Sequence, residues 1–216
     1  MNFTGISGHT KQLGFLGALR ESGAIPHAIL FTGQSGIGKR LIAERFLKSI
    51  YCESPESPCL QCSVCRQIEA RSFPDFLVLD RDEKGKIPVG NRDKPAAGTV
   101  RWLIEQITRT PVSGRYAVIV DGVHTISETG QNALLKTIEE PGPSTTIVMT
   151  AEGRAGILPT ILSRCVNITF NPLDDKDVGA LLAKEGVKAA DVPLITAMSG
   201  GSLDCAFRLG DDRIMK

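Results

Sequence analysis

The sequence predicts a three-layer α/β domain with a mostly parallel sheet between helices, followed by a small all-helical unit. Three observations carry this prediction. Residues 116–120 and similar short runs are apolar on both faces, as parallel strands covered by helices on each side require. Such runs alternate with helical patterns over residues 1–170. From Asn171-Pro172 onward only helical periods remain, which places a boundary between 1–170 and 171–216.

The elements follow in order. Leu13, Leu16 and Leu19 recur at helical spacing over residues 10–22, ahead of Gly23. Residues 27–31 form an apolar strand that runs into a glycine-rich turn, and Leu41, Ile42, Phe46 and Ile50 give residues 40–51 a helical period. A short helix is expected at 65–70 and a strand at 76–79. Residues 80–98 are charged and rich in Gly and Pro, which predicts an exposed loop. Thr99 then caps a helix whose apolar face is Val100, Leu103, Ile104 and Ile107, and which ends before Pro111. In this helix Trp102 reads as a packing residue. After the strand at 116–120 come a helix over 127–139 capped by Ser127, a strand at 146–150, a short helix at 159–162 and a last strand at 166–170. The all-helical unit is predicted as helices over 174–184, 189–198 and 202–209.

Composition narrows the function. With 25 Lys+Arg against 24 Asp+Glu the net charge is +1, so no overall field draws the chain to nucleic acid, and any such contact is local or shared with partners. No basic-then-apolar leader and no run of 18 apolar residues occurs, which predicts a cytoplasmic protein without a membrane span. In that compartment the six cysteines are expected as thiols or metal ligands rather than disulfides.

The glycine-rich turn reads Gly33-Gln-Ser-Gly36-Ile-Gly38-Lys39, the G-x-x-x-x-G-K frame of a phosphate-binding loop, between a strand and a helix. Backbone N–H groups, the helix N-terminus and Lys39 would together cradle phosphate oxygens. The next residue should supply a hydroxyl to Mg²⁺ and is instead Arg40, whose guanidinium has only donors; it could pair with a phosphate. The acidic strand end that normally completes such a site keeps Asp121 but has Gly122 where a water-orienting Glu belongs. Glu128 or another carboxylate would have to reach in from a different loop to replace it.

Cys52, Cys59, Cys62 and Cys65 form a C-x6-C-x2-C-x2-C array suited to a closed tetrahedral zinc site. An iron–sulfur cluster is the alternative use of such grouping, and four unliganded thiols the plainest. Cys165 and Cys205 lie apart and read as small packing residues.

Taken in order, the phosphate loop, the cysteine insert after its helix, the segment Gln131-Asn-Ala-Leu-Leu-Lys-Thr-Ile-Glu-Glu-Pro141 and Ser163-Arg164-Cys165 resemble bacterial DNA polymerase III clamp-loader subunits of the AAA+ family. The resemblance covers nearly the whole chain and looks closer to the delta-prime type, because active gamma/tau ATPases carry Thr and Glu where this chain has Arg40 and Gly122. An active gamma/tau-like ATPase is the alternative. The resemblance implies an AAA+ P-loop domain over 1–170 with a structural Zn²⁺ module at 52–65, and a helical lid over 171–216. It implies ATP or ADP as ligand of a degenerate site formed by Gly33, Gly36, Gly38, Lys39, Arg40 and Asp121. It further implies gamma/tau ATPase and delta subunits as partners, the sliding clamp indirectly, and primer-template DNA through the assembled complex.

The family's Ser-Arg-Cys signature makes Arg164 an arginine finger acting in trans on a neighbour's γ-phosphate; without it, Arg164 reads as a surface arginine in a local salt bridge. The family's sensor residue falls on Ala151, or on Thr150 after a one-residue shift. Gly201-Ser-Leu-Asp204 has an aspartate where active members carry a phosphate-facing arginine. Nothing after Leu209 supplies the family's helical collar domain, so the chain is expected as a two-domain fragment.

Overall fold

Five strands, β1 (Ala28–Thr32), β2 (Phe76–Leu79), β3 (Tyr116–Asp121), β4 (Thr145–Ala151) and β5 (Val166–Thr169), form one sheet in the order β2-β3-β4-β1-β5. They belong to a computed structural model that describes residues 1–142 and 144–214. Every strand pair is parallel. All strand C-termini therefore share one edge of the sheet, and all loops entering strands share the other. The register sets Asp121 opposite Thr150, and Thr32 opposite Ala151.

Both sheet faces are covered, which explains the unbroken apolar runs of the central strands. On one face α1 (Thr10–Ser22) and α2 (Lys39–Tyr51) bury Leu16, Ile42, Phe46 and Leu47 against Ile29, Phe31 and Ile119. Each such side chain contributes about 1.5–3 kcal/mol on burial, and truncating the fully buried Phe46 to Ala would cost about 3–5 kcal/mol. On the other face α4 (Val100–Ile107) and α5 (Glu128–Glu139) bury Leu103, Ile107, Leu134 and Ile138 against Leu30, Val118 and Val120, with Trp102 packed at the margin. The expected caps are in place: the Thr99 side chain accepts from the Trp102 N–H at 3.3 Å and Ser127 from the Gly130 N–H at 3.4 Å.

Two expectations need correction. The loop over 80–98 is not exposed throughout, because Ile87 is only 2% exposed and packs into the core beneath α4. Pro88 and Val89 carbonyls accept from the Val100 and Arg101 N–H groups, both at 3.0 Å, so the loop satisfies the orphan donors of that helix. A lone Ile among Gly, Pro and charges has no period to reveal it. The C-terminal helices also shift: α8 (Val192–Ser199) begins later than 189, and α9 (Leu203–Ile214) runs past Leu209. Pro193 sits in the first turn of α8, where its missing N–H costs nothing.

With α7 (Asp175–Lys184), these helices enclose a separate small core of Leu173, Val178, Leu182, Ile195 and Ala206. The expected lid range ends with residues 215–216, which lie outside the described residues. Among the described residues no helix is long and apolar enough to cross a membrane.

Candidate functional site

The phosphate loop links β1 to α2 at the C-terminal edge of the sheet. Gly36 sits at φ +74°, and a Cβ there would run into the Ser202 hydroxyl and lie 2.8 Å from Asp204 Cβ. The glycine thus lets the start of α9 close directly over the loop, where the Leu203 N–H donates to the Gly36 carbonyl at 2.7 Å. Lys39, 8% exposed, folds back and donates to the Gly33 carbonyl at 2.7 Å and to that of Gln34. Burial pushes its pKa down, against the pull of Glu152 and Asp121.

Arg40 turns to the ends of β2 and β3. Its guanidinium bridges two strand-end carboxylates: it bonds both oxygens of Asp80, with NH2 at 3.3 Å from Oδ2, and reaches Asp121 Oδ2 at 3.1 Å. Arg71 adds a second cation to Asp80 at 2.8 Å. Burial opposes charge on Asp80, yet hydrogen bonds from Arg40 and Arg71 outweigh it and hold the carboxyl below its ordinary range. Burial likewise opposes charge on Arg40, and the two aspartates overcome it. The other oxygen of Asp121 accepts from the Thr150 hydroxyl at 2.5 Å. Both oxygens of the one strand-end acid that the motif predicts are therefore engaged within the chain.

Gly122 adopts φ +105°, and a Cβ there would meet Arg81 Cδ at 3.0 Å. The place where a side chain would follow Asp121 is thus covered by the stem of Arg81, whose head lies 3.5 Å from Glu152. These groups line a cleft of about 380 Å³ together with Asp204 and His124. Burial lowers the pKa of His124, and its Nδ1 has no hydrogen-bond partner among the described residues. Of the two sensor positions, Thr150 contacts Asp121 through its hydroxyl, whereas Ala151 has no polar side chain and offers only its carbonyl, which accepts from the Gly33 N–H at 3.2 Å. Glu128 is not among the cleft residues; the carboxylates there are Asp121, Glu152 and Asp204.

The four cysteines converge as expected. Cys52 ends α2, Cys62 caps α3 (Ser63–Glu69), and the four Sγ atoms lie within 4.8 Å of one another. A tetrahedral zinc about 2.3 Å from each sulfur needs sulfurs roughly 3.8 Å apart, so the donor set fits such an ion. Backbone N–H groups point at three of the sulfurs: Cys59 at Cys52 (3.3 Å), Cys62 at Cys59 and Cys65 at Cys62 (both 3.4 Å). N–H groups of Gln61 and Cys62 pull the Cys59 thiol down to about 6, and burial pushes Cys65 up to about 12. The module is tied to α2 by the buried Lys48 ammonium, which pairs with Glu44 at 2.8 Å and with Glu69. Cys165 is a packing residue in the core margin, its thiol pushed up to about 12 by burial.

Arg164 lies just after α6 (Pro159–Leu162), before β5 begins. That is the strand-entry edge of the sheet, opposite the cleft, so Arg164 is held away from its own chain's phosphate loop. Its Nε lies 2.7 Å from Glu139 Oε1 in an ion pair and its NH1 donates to the Thr160 carbonyl at 3.0 Å, with the side chain 39% exposed. The local salt bridge that the residues alone suggested is therefore present. Sequence reasoning missed Glu139, Asp80, Arg81 and the buried Gln131. Gln131 ties α5 to the loop before α6: its amide donates to the Gly156 carbonyl at 2.6 Å and accepts from the Leu158 N–H at 2.9 Å.

The family described as DNA polymerase III, delta subunit, matches residues 8–174. The chain is 33% identical over 193 residues to DNA polymerase III subunit delta' of Pseudomonas aeruginosa, covering 85% of this chain and 55% of that protein. It is 32% identical over 196 residues to subunit gamma of Buchnera aphidicola, subspecies Schizaphis graminum (87% and 51%). It is 30% identical over 221 residues to subunit tau of Escherichia coli K12 (98% and 33%). The chain thus spans between a third and about half of these relatives. In fold it is similar to a DNA polymerase III gamma subunit-related protein of Thermotoga maritima (TM-score 0.59, 18% identity, 91% of this chain and 57% of that one). The RuvB Holliday junction branch migration motor of the same organism gives TM-score 0.60 at 16% identity, over 94% and 59% of the two chains. With the sheet order, the phosphate loop and the cysteine module already described, the family match identifies this chain as a member of the clamp-loader subunit family of DNA polymerase III.

Proposed function

We propose that the chain is the AAA+ part of a delta-prime-type subunit, with a P-loop domain over 1–170 and a lid over 171–216. In this reading it does not hydrolyse ATP, and it helps load the sliding clamp onto primed DNA by donating Arg164 to the ATP site of a neighbouring subunit. The observation that carries the reading is the double salt bridge from Arg40 to Asp80 and Asp121. It commits the strand-end acid to an internal cation, and Arg40 itself has no lone pair with which to hold Mg²⁺. Gly122 and Asp204 argue in the same direction.

Arg164 suits the donor role. Its planar fork of N–H donors matches charge that spreads over phosphoryl oxygens, and its place at the strand-entry edge, away from its own phosphate loop, supports a role toward another subunit. The partners in this reading are gamma/tau ATPase and delta subunits, in the cytoplasm.

The test is reconstitution of the full-length subunit with its partner subunits. Arg164→Ala should slow hydrolysis at the contacted site by about 10³-fold in single turnover, whereas Lys39→Ala should leave turnover unchanged. The gamma/tau-like alternative is favoured by the intact glycine and Lys39 frame and predicts the reverse: ATP turnover by the isolated subunit that disappears in Lys39→Ala.

For the cysteine module we propose structural zinc, with Cys52, Cys59, Cys62 and Cys65 as ligands. Metal analysis should find one zinc per chain; a brown protein that absorbs visible light would instead indicate an iron–sulfur cluster.

A further inference from the structure

We infer that Glu139 is the positioning residue for Arg164, aiming its guanidinium outward to the neighbouring subunit; the inference rests on the donor role proposed for Arg164. Glu139 is the last residue of α5, and Glu140 follows it. Two carboxylates at the negative end of a helix dipole are unfavourable unless a cation answers them. Arg164 is that cation: its Nε lies 2.7 Å from Glu139 Oε1 in an ion pair.

The guanidinium is gripped along one side only. Nε is held by Glu139, while NH1 donates to the Thr160 carbonyl at 3.0 Å and approaches Ser163 Oγ at 3.4 Å. NH2 has no hydrogen-bond partner among the described residues. The gripping groups come from α5 and α6, which the buried Gln131 joins through Leu158 and Gly156. Arg164 therefore stands on a rigid corner with NH1 anchored by hydrogen bonds, the Nε side paired with Glu139 and NH2 left without a partner among the described residues. At 41% exposure, Glu139 can hold the arginine in register yet be separated from it at small cost when a stronger anion, such as a triphosphate, arrives. This gives a role to the Gln131–Glu140 segment, whose distinctive sequence had none: its first residue fixes the corner and its glutamate aims the arginine.

The experiment uses the full-length subunit in the reconstituted complex, with DNA-stimulated hydrolysis of ATP read as separate kcat and KM. Glu139→Ala should lower kcat about two- to fivefold, the range of a half-exposed ion pair, with KM unchanged. Glu139→Gln keeps an acceptor oxygen and should recover part of the loss. In an Arg164→Ala background, Glu139→Ala should add nothing, since the residue it positions is gone. Wild-type kcat in Glu139→Ala while Arg164→Ala is impaired overturns the positioning role alone. So does a Glu139→Ala defect that persists in full without Arg164. If Arg164→Ala itself turns over ATP normally, the donor reading fails instead, and the inference with it.

Discussion

The two edges of this one parallel sheet hold their arginines on opposite terms. At the strand-exit edge Arg40 is locked between two aspartates in a half-buried cleft, and Arg81 covers Gly122 beside it. At the strand-entry edge Arg164 is held by a single glutamate in partial solvent. A cation shared by two carboxylates in a half-buried cleft is structurally committed, because pulling it away leaves the largely covered Asp121 without its ion-pair partner and Asp80 with Arg71 alone. A cation on one exposed partner loses little when it changes partner. The same residue type is thus held by two carboxylates at one edge and by one half-exposed carboxylate at the other.

Stability measurements should sharpen that contrast. The largest effect is expected from Arg40→Met, which leaves Asp80 and Asp121 facing each other without their shared cation. Discounting for its exposure, the loss should be about 1–2 kcal/mol in urea unfolding. A change below a few tenths would mean that the bridge is no framework at all.

Acid unfolding is the next probe. Asp80 has a folded pKa below its unfolded value of about 4, so its contribution is present above that pH and is lost as pH falls through the lower folded value. Arg40→Met should make stability fall less steeply with acid below about pH 4, since much of the depression of Asp80 disappears with the guanidinium. An unaltered slope would assign the depression to Arg71. The smallest effect is expected from Arg164→Ala in the isolated chain, under about 0.5 kcal/mol, because its ion pair is exposed. A larger loss would make Arg164 a structural residue first.

How far the sequence reveals these sites follows from how local each signal is. The central strands are legible because residues covered on both faces leave an unbroken apolar run. The phosphate loop and the cysteine array are legible because their chemistry is written in contiguous residues. Arg40 is visibly wrong for its motif, but its partner Asp80 lies forty residues on, past the cysteine module. Only the pairing of β2 with β3 brings the ends of the two strands together beneath α2. Glu139 and Arg164 meet because α5 and α6 both end near the strand-entry edge, which is a property of topology and leaves no mark in either segment. Ile87 escaped for the opposite reason: a single buried side chain has no periodicity.

α2 connects the chain's two unusual features. It is a rod of about 20 Å, clamped at its first turn by Arg40 to the ends of two strands and tied near its other tip by Lys48 to Glu69 beside the cysteine cluster. A helix tied near both tips is restrained from sliding along its own axis. The amide groups at its leading tip are thereby held at one depth beneath the cleft.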